Sequence, residues 1–129
     1  MLEPADYLAI ERLYSSYNLA IHRADGNAWA ACFTTDGVFS NIARTVTGRV
    51  DLAAYAAGFS ADRNARYTIN SLVIEEAAEG ATASCYLTIL RLHGLERTPE
   101  IELTGVYNDQ LVRRAGEWQF AKRHIERDQ

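Results

Sequence analysis

The feature that most constrains this chain is a change in the spacing of its apolar residues near position 62. Before that point, apolar or aromatic side chains such as Ile10, Leu13 and Tyr17 recur three or four residues apart, which is typical of one face of a helix. After it, apolar and polar residues alternate, which is typical of strands with one buried face. We therefore expect helices followed by a sheet, an α+β fold.

Three helices are expected before this change. Pro4 fits the first turn of a long helix, because the N–H that proline lacks would have no partner there. Asp25 is expected to cap a short second helix over 28–33, and Asp51 to cap a third that runs from 52 to about 59. Carboxylates suit both positions because they accept hydrogen bonds from the unpaired N–H groups of a first turn.

Four extended segments are expected in the second half of the chain, at about 65–77, 82–94, 100–113 and 117–127. Glu79-Gly80 and Ala115-Gly116 lie at breaks between these segments, so hairpins there would make neighbouring strands antiparallel. Three N-terminal helices packed on one face of a strongly curved antiparallel sheet would leave a cone-shaped hollow between them.

The size and charge of the chain limit what it can do. Its 129 residues predict a single domain that spans 1–129. A net charge of −4 disfavours nucleic-acid binding, and no run approaches the roughly 18 apolar residues that a membrane helix needs. We expect a cytoplasmic protein that binds neither nucleic acid nor a membrane, with Cys32 and Cys85 as buried free thiols.

The sequence also lacks the motifs of common cofactor sites. It has no glycine-rich phosphate-binding loop and no G-x-G-x-x-G at a helix start, so no nucleotide cofactor is expected. His93 and His124 have no cysteine or carboxylate nearby at the spacing that metal ligands show, so no catalytic metal is expected.

Three segments of the chain are similar to a known family: YNLAIHRADGNAWAACFTTDGVF at 17–39, RYTINSLVIE at 66–75 and GVYNDQLVRRAGEWQFAKR at 105–123. In order and spacing they resemble the SnoaL-like branch of the nuclear transport factor 2-like (NTF2-like) superfamily. The resemblance implies a cone-shaped α+β fold, reacting groups that line the cone, and a homodimer joined through the sheet. It does not fix the chemistry, because this superfamily includes isomerases, dehydratases, dehydrochlorinases, polyketide cyclases, epoxide hydrolases and non-catalytic subunits.

Tyr17 and Asn41 fall at positions that the similar ketosteroid isomerases use. Tyr17 stands where those isomerases place a tyrosine that donates a hydrogen bond to an enolate oxygen; alternatively, it is a core-facing residue of the first helix. Asn41 stands where they place the carboxylate that removes the substrate proton. Because an amide cannot accept that proton at neutral pH, Asn41 either orients a substrate carbonyl or shapes a turn.

His22 and Tyr67 fall at the positions of the aspartate–histidine dyad of similar dehydratases and dehydrochlorinases. Imidazole titrates near neutral pH, so one hypothesis makes His22 the base, with Tyr67 and Tyr17 as hydrogen-bond donors. The alternative is a histidine at a helix end, near Asp25, whose hydrogen bonds are satisfied locally or by water.

Two further candidates, Tyr107 and Asp109, share one face of the third long segment. Tyr107 is expected to line the pocket. If Asp109 is interior, desolvation would raise its pKa and make it a rival base; otherwise it is solvated or paired with Arg113. Trp29 and Tyr86 complete the candidates for substrate binding, together with Asn41 and Tyr107.

Two functions from different classes remain open at this point. The first is a cofactor-independent lyase or isomerase, such as a dehydratase, a cyclase or a ketosteroid-isomerase-like enzyme. It would bind a small apolar or cyclic molecule inside the cone, and His22, Tyr67, Tyr17 and Asp109 would do the chemistry. The second is a non-catalytic ligand-binding or accessory subunit that resembles the small β component of ring-hydroxylating dioxygenases. The changes at both dyad positions favour this second function.

Overall fold

The computed structural model describes residues 1–58, 64–93 and 98–128. These residues form three helices and six strands, which confirms the α+β prediction. In chain order they are α1 (Pro4–His22), α2 (Gly26–Ala31), β1 (Phe33–Ser40), β2 (Thr45–Thr47), α3 (Arg49–Ala57), β3 (Ala65–Ala77), β4 (Gly80–His93), β5 (Thr98–Arg114) and β6 (Glu117–Arg127). The four long strands lie within a few residues of the expected segments, although position 94 is outside the described residues.

Two of the three helices begin with the residues that the sequence predicts for their first turn or N-cap. Pro4 lies in the first turn of α1, as predicted. Asp25 caps α2, because its Oδ1 accepts a hydrogen bond from the N–H of Ala28 at 3.0 Å. The prediction that Asp51 caps the third helix is wrong: α3 begins at Arg49, three residues before the expected start, its N-cap is Gly48, and Asp51 lies in its first turn. The expected end of this helix at Phe59 lies outside the described residues.

The strands form one mixed sheet in the order β2-β1-β6-β5-β4-β3. All pairings are antiparallel except that of β1 with β6, which is parallel. The expectation of a purely antiparallel sheet therefore needs this one correction. Strands β3 to β6 alternate in direction, and the strand order places β6 beside β1, where the two strands run in the same direction.

The sheet bends at irregularities in its long strands. The register of β3 against β4 shifts between Asn70 and Val73, where Ser71 has a φ of 54°. Such bulges bend a strand and increase its twist. On β5, Gly105 allows a close approach to β6, since a Cβ there would lie 2.6 Å from the carbonyl oxygen of Glu126. The resulting concave face is packed against α1, which contacts both β3 and β6.

Strand alternation sends two different sets of side chains to the two faces of the sheet. On β4 the buried residues include Cys85, Leu87 and Ile89, which face the helices. Tyr86, between them, is 56% exposed on the opposite face. Cys32 and Cys85 are buried free thiols, as predicted.

We predict that Gly80→Ala destabilises the β3–β4 hairpin. A Cβ at this position would lie 2.2 Å from the carbonyl oxygen of Leu111, so the backbone of β4 or β5 would have to move. We expect the free energy of unfolding to fall by roughly 1–3 kcal/mol in urea denaturation.

Gly58→Ala is the matched control for this prediction. Gly58 has a φ of −69°, and the nearest atom to an added Cβ is 3.2 Å away. Its effect should stay below about 1 kcal/mol. Equal losses in the two variants would contradict the steric argument.

Candidate functional site

A charged cluster lies buried in the deep part of the cone, between α1 and the sheet. Its members, which we call the tyrosine–arginine cluster, are Tyr14 and Tyr17 from α1, Tyr107 and Asp109 from β5, and Arg123 from β6. None of the five residues is more than 4% exposed, and Arg123 is 0% exposed. An arginine and an aspartate at this depth are unusual, because charged groups are almost never fully buried unless they are paired.

Helix and strand geometry bring these five side chains together. Tyr14 and Tyr17 are three residues apart and so project from one face of α1. Tyr107 and Asp109 are two residues apart on β5 and share its inner face. Arg123 is the direct cross-strand partner of Asp109 in the β5–β6 pairing.

The carboxylate of Asp109 contacts two members of the cluster. The hydroxyl of Tyr14 donates a hydrogen bond to Oδ2 of Asp109 at 2.5 Å. Nε of Arg123 lies 3.1 Å from Oδ1 of Asp109, an ion-pair distance, but its N–H is not aimed well enough at that oxygen to form a hydrogen bond. The pair is therefore held by charge attraction and by packing more than by directional hydrogen bonds.

Aromatic rings surround the guanidinium group of Arg123. Its central carbon lies 3.4 Å from the ring centroid of Tyr107, 4.3 Å from that of Tyr17 and 4.8 Å from that of Tyr14. The ring faces attract the cation and offset part of the cost of removing it from water. Among the described residues, Nη1 has no hydrogen-bond partner, and Nη2 donates to Sγ of Cys85 at 3.8 Å.

The burial of the cluster changes its acid–base properties. Desolvation raises the pKa of Asp109 to about 6, while the charge of Arg123 and the hydrogen bond from Tyr14 oppose this rise. Burial raises the pKa of Tyr107 to about 12, and it raises the pKa of Tyr17 well above its ordinary value. The site thus combines a carboxyl group that titrates near neutrality with phenols that remain protonated hydrogen-bond donors.

Three of the residues singled out from the sequence belong to this cluster: Tyr17, Tyr107 and Asp109. Asp109 is interior and its pKa is raised by desolvation, which is the environment that sequence reasoning required for a rival base. It does not pair with Arg113; Nη1 of Arg113 instead lies 3.6 Å from Oδ1 of Asp6. The cluster's other two members were missed as functional residues. Tyr14 matched the core spacing of α1, and Arg123 follows Lys122 in a basic pair that gives no sign of burial.

His22 and Tyr67 do not come together. His22 is exposed at the C-terminal end of α1, so the expectation that it points into the cone is wrong. The buried face of α1 is set by Tyr14, Tyr17 and Ile21, and His22 lies off that face. Tyr67 is half-buried on the inner face of β3.

Three other candidates do not line an interior pocket in the way expected. Oδ1 of Asn41 accepts hydrogen bonds from the N–H groups of Ala43 and Arg44 at 2.8 and 2.9 Å, so Asn41 shapes the turn between β1 and β2. Trp29 is 1% exposed and packs in the core, with its ring centroid 4.9 Å from that of Phe33. Tyr86 lies on the outer face of the sheet.

The wide end of the cone differs from its filled, deep part. Tyr67, Ile89 and Leu103 are cross-strand neighbours on β3, β4 and β5 and form an apolar row on the inner face. Tyr67 and Leu103 are only half-buried, as is Ile69, the next inner residue of β3. The expectation of one open apolar chamber is therefore wrong for the deep part, which side chains fill. Accessible apolar surface remains at the wide end.

The described residues show no arrangement typical of a metal site or of a membrane-spanning helix. No group of three or more His, Cys, Asp or Glu side chains in them is placed to hold a metal ion. No helix in this part of the chain is both long and apolar enough to cross a membrane.

We predict that Asp109 makes the protein less stable as the pH rises from about 4 to about 6. The folded state holds the proton of Asp109 up to a pKa of about 6, whereas the unfolded state loses it near the ordinary value of 3.8. The contribution of Asp109 to the free energy of unfolding should therefore fall by about 3 kcal/mol across this interval and stay level above it. Urea denaturation at a series of pH values measures this fall.

Asp109→Asn should remove this fall, because an amide does not titrate. Asp51→Asn, at an exposed carboxylate in the first turn of α3, should keep it. If the difference in stability between wild type and Asp109→Asn did not change over the same interval, this would contradict a buried carboxyl group with a raised pKa.

Comparison with known proteins gives this fold a family. Among solved structures, Rv3472, a protein of unknown function from Mycobacterium tuberculosis, is 29% identical, with a TM-score of 0.87 over 98% of this chain and 77% of its own. ActVI-ORFA from Streptomyces coelicolor is 26% identical, with a TM-score of 0.85 over 95% of this chain and 97% of its own. A putative scytalone dehydratase from Novosphingobium aromaticivorans is 23% identical, with a TM-score of 0.83 over 97% of this chain and 85% of its own.

These likenesses agree with the expected fold. Further solved structures of the same shape have a cystatin-like fold, and one of them is an NTF2-like protein, which confirms the fold class. No functionally curated protein matches the chain. A model of the SnoaL-like domain matches residues 3–124, nearly the whole chain, and the protein therefore belongs to the SnoaL-like family.

Proposed function

We propose that this protein is a cofactor-independent lyase or isomerase that acts on a small, largely apolar, cyclic or polyketide-like molecule. The substrate would enter at the wide end of the cone and rest on the apolar row of Tyr67, Ile89 and Leu103. Asp109 would move the proton, and the neighbouring phenols would stabilise the anion that forms.

The observation that carries this proposal is the burial of Asp109 against Arg123. Removing both charges from water costs stability, and apolar residues of similar volume often serve a core as well or better. A carboxyl group with a pKa of about 6 is matched to proton transfer near neutral pH. Perturbed groups of this kind concentrate at functional sites.

The phenols supply the second half of the proposed chemistry. Tyr107 lies beside Arg123. On β5 it is closer to Leu103 than Asp109 is, so it is the cluster member nearest the wide end on that strand. Its raised pKa keeps it a neutral donor. A neutral phenol in a dry site can donate a hydrogen bond to a developing enolate oxygen. In this arrangement Asp109 takes the role that sequence reasoning first gave to His22.

Because Asp109 is buried, a substrate can reach it only after a local rearrangement of the surrounding side chains. Its side chain is 0% exposed in this structure, so a bound substrate must displace part of the packing around Tyr107 to reach it. Catalytic contacts often form only in the complex, and a base must come within hydrogen-bond reach of the proton that it removes.

A proton-exchange assay tests this function without knowledge of the natural product. 2-Tetralone in D2O is the probe, because removal of its α-proton forms an enolate and leads to measurable deuterium uptake by NMR. Wild-type protein should accelerate uptake, with a rate that rises between about pH 5 and pH 7 as Asp109 ionises. Asp109→Asn should lower the rate by about 10²-fold or more, whereas Asp51→Asn should not change it. Equal rates in wild type and Asp109→Asn would remove Asp109 from the mechanism.

Tyr67→Phe provides a separate test of the wide end. If the Tyr67 hydroxyl donates to the enolate oxygen, its loss should slow exchange by about tenfold or more while the fold stays intact. Tyr7→Phe, at an exposed tyrosine of α1, is the matched control and should retain the wild-type rate. An unchanged rate of deuterium uptake in Tyr67→Phe would show that the Tyr67 hydroxyl has no part in the chemistry and that the residue serves only in packing.

A non-catalytic binding or accessory subunit is the second candidate. The filled deep interior and the exposed His22 favour it, because a scaffold needs neither an open chamber nor a dyad. This candidate predicts no deuterium uptake above background with 2-tetralone. It also predicts a larger assembled species by light scattering when an oxygenase large subunit is added.

A further inference from the structure

Arg127 places a positive charge on the inner face of the sheet at the wide end of the cone. On β6 the side chains of Arg123 and Ile125 are buried on this face, at 0% and 8% exposure. Because side chains alternate along a strand, Arg127, two residues beyond Ile125, projects from the same face. It lies at the end of the strand and is exposed to solvent. Arg127 is therefore accessible to a molecule that enters at the wide end.

The strand register places Arg127 between the two parts of the proposed active site. Its cross-strand partner is Gly105, and Tyr107 and Leu103 lie two residues to either side of Gly105 on β5. Residues of one face are about 7 Å apart along a strand, so the backbone of Arg127 is about one such step from Tyr107 and from the apolar row. Because glycine has no side chain, β5 places none beside Arg127 in this pair.

The other charged groups on the inner face at the wide end have partners. Arg91 and His93 continue the alternation of the buried residues of β4. Nε and Nη2 of Arg91 donate to the two carboxylate oxygens of Glu102 at 2.8 and 3.0 Å, and Nε2 of His93 lies 3.0 Å from Oε2 of Glu100. Within the part of the chain that the structure describes, the Arg127 side chain has neither an ion pair nor a hydrogen bond.

The two carboxylates next to Arg127 in sequence do not neutralise it on this face. Glu126 alternates with Arg127 on β6 and so projects from the outer face. Oδ2 of Asp128 accepts a hydrogen bond at 2.8 Å from the hydroxyl of Thr104, which lies between the inner residues of β5. Arg127 thus remains an unpaired cation beside an apolar surface.

We propose that Arg127 binds a carboxylate of the substrate, so that the natural substrates are small cyclic acids. This inference rests on the proposed function, because it adds an anchor to the same site. A guanidinium group can bind a carboxylate through two parallel N–H···O hydrogen bonds. One unpaired cation balances the single charge of a carboxylate, whereas a phosphate group would carry nearly two negative charges at neutral pH.

This anchor gives the substrate a defined orientation. With its carboxylate at Arg127, a molecule of two fused rings would rest on the apolar row and direct its carbonyl group toward Tyr107. Arg127, Tyr107 and the apolar row all lie on the inner face, so the site does not require the outer face of the sheet to be free.

Two probes that differ only in charge test this inference: 2-tetralone with a carboxylate on its aromatic ring, and the methyl ester of that acid. Both carry the same exchangeable α-protons. In the deuterium-uptake assay, wild type should show a KM about fivefold lower for the acid than for the ester, a difference suited to an ion pair that solvent still reaches. The two kcat values should be similar, because an anchor away from the reacting carbon changes binding more than chemistry.

Substitutions of Arg127 should change the preference for the acid alone. Arg127→Gln should raise the KM for the acid about fivefold and leave the KM for the ester unchanged. Arg127→Lys should keep part of the preference, because it keeps the charge but not the two-bond geometry. Arg12→Gln, at an exposed arginine of α1, is the matched control and should behave as wild type does.

Binding of the two probes, followed by ¹H–¹⁵N NMR, separates this inference from the proposed function. If the acid binds more tightly than the ester and this preference needs Arg127, the anchor stands even where neither probe exchanges protons, and only the proposed chemistry fails. If both probes exchange with equal KM, or if wild type and Arg127→Gln bind the acid equally, the anchor is wrong and the proposed chemistry is unaffected. The absence of any binding of the acid at millimolar concentration also overturns the inference.

Discussion

The interior of this protein depends on the buried pair of Asp109 and Arg123. Each ion loses several kcal/mol of hydration on burial, and the structure offsets this with the hydrogen bond from Tyr14 and the rings around the guanidinium. The members of the cluster come from α1, β5 and β6, so the helix is fixed on the sheet by the same contacts that hold the charges. Removal of one partner would leave the other charge buried and alone.

The two faces of the sheet carry chemically different side chains. Inside, alternate residues of β4 and β5 build an apolar core that surrounds the ion pair of Asp109 and Arg123. Outside, the residues between them form a polar surface with an open cleft. Because side chains alternate with a period of two, one register serves both faces, and a shift by one residue would exchange them. The register shift in β3, between Asn70 and Val73, is the kind of irregularity that bends a strand.

The sequence predicts the strands better than the site, for physical reasons. Alternation and the glycine turns at Gly80 and Gly116 are local signals, so the limits of the long strands follow from them. The parallel pairing of β1 with β6 is not local and leaves no such signal. The sequence also does not show which side of a strand faces inward, so the prediction that Tyr86 lines the pocket is wrong and this residue lies on the outer face. Arg123 becomes a core residue only through its register with Asp109.

A direct titration of the Asp109 side-chain carboxyl carbon by ¹³C NMR tests this account most sharply. The assignment follows from comparison of wild type with Asp109→Asn. The account predicts a midpoint near pH 6, since burial raises the pKa of this group to about 6. A midpoint near the ordinary aspartate value of about 3.9 would show a solvated carboxylate and contradict a buried acid–base centre.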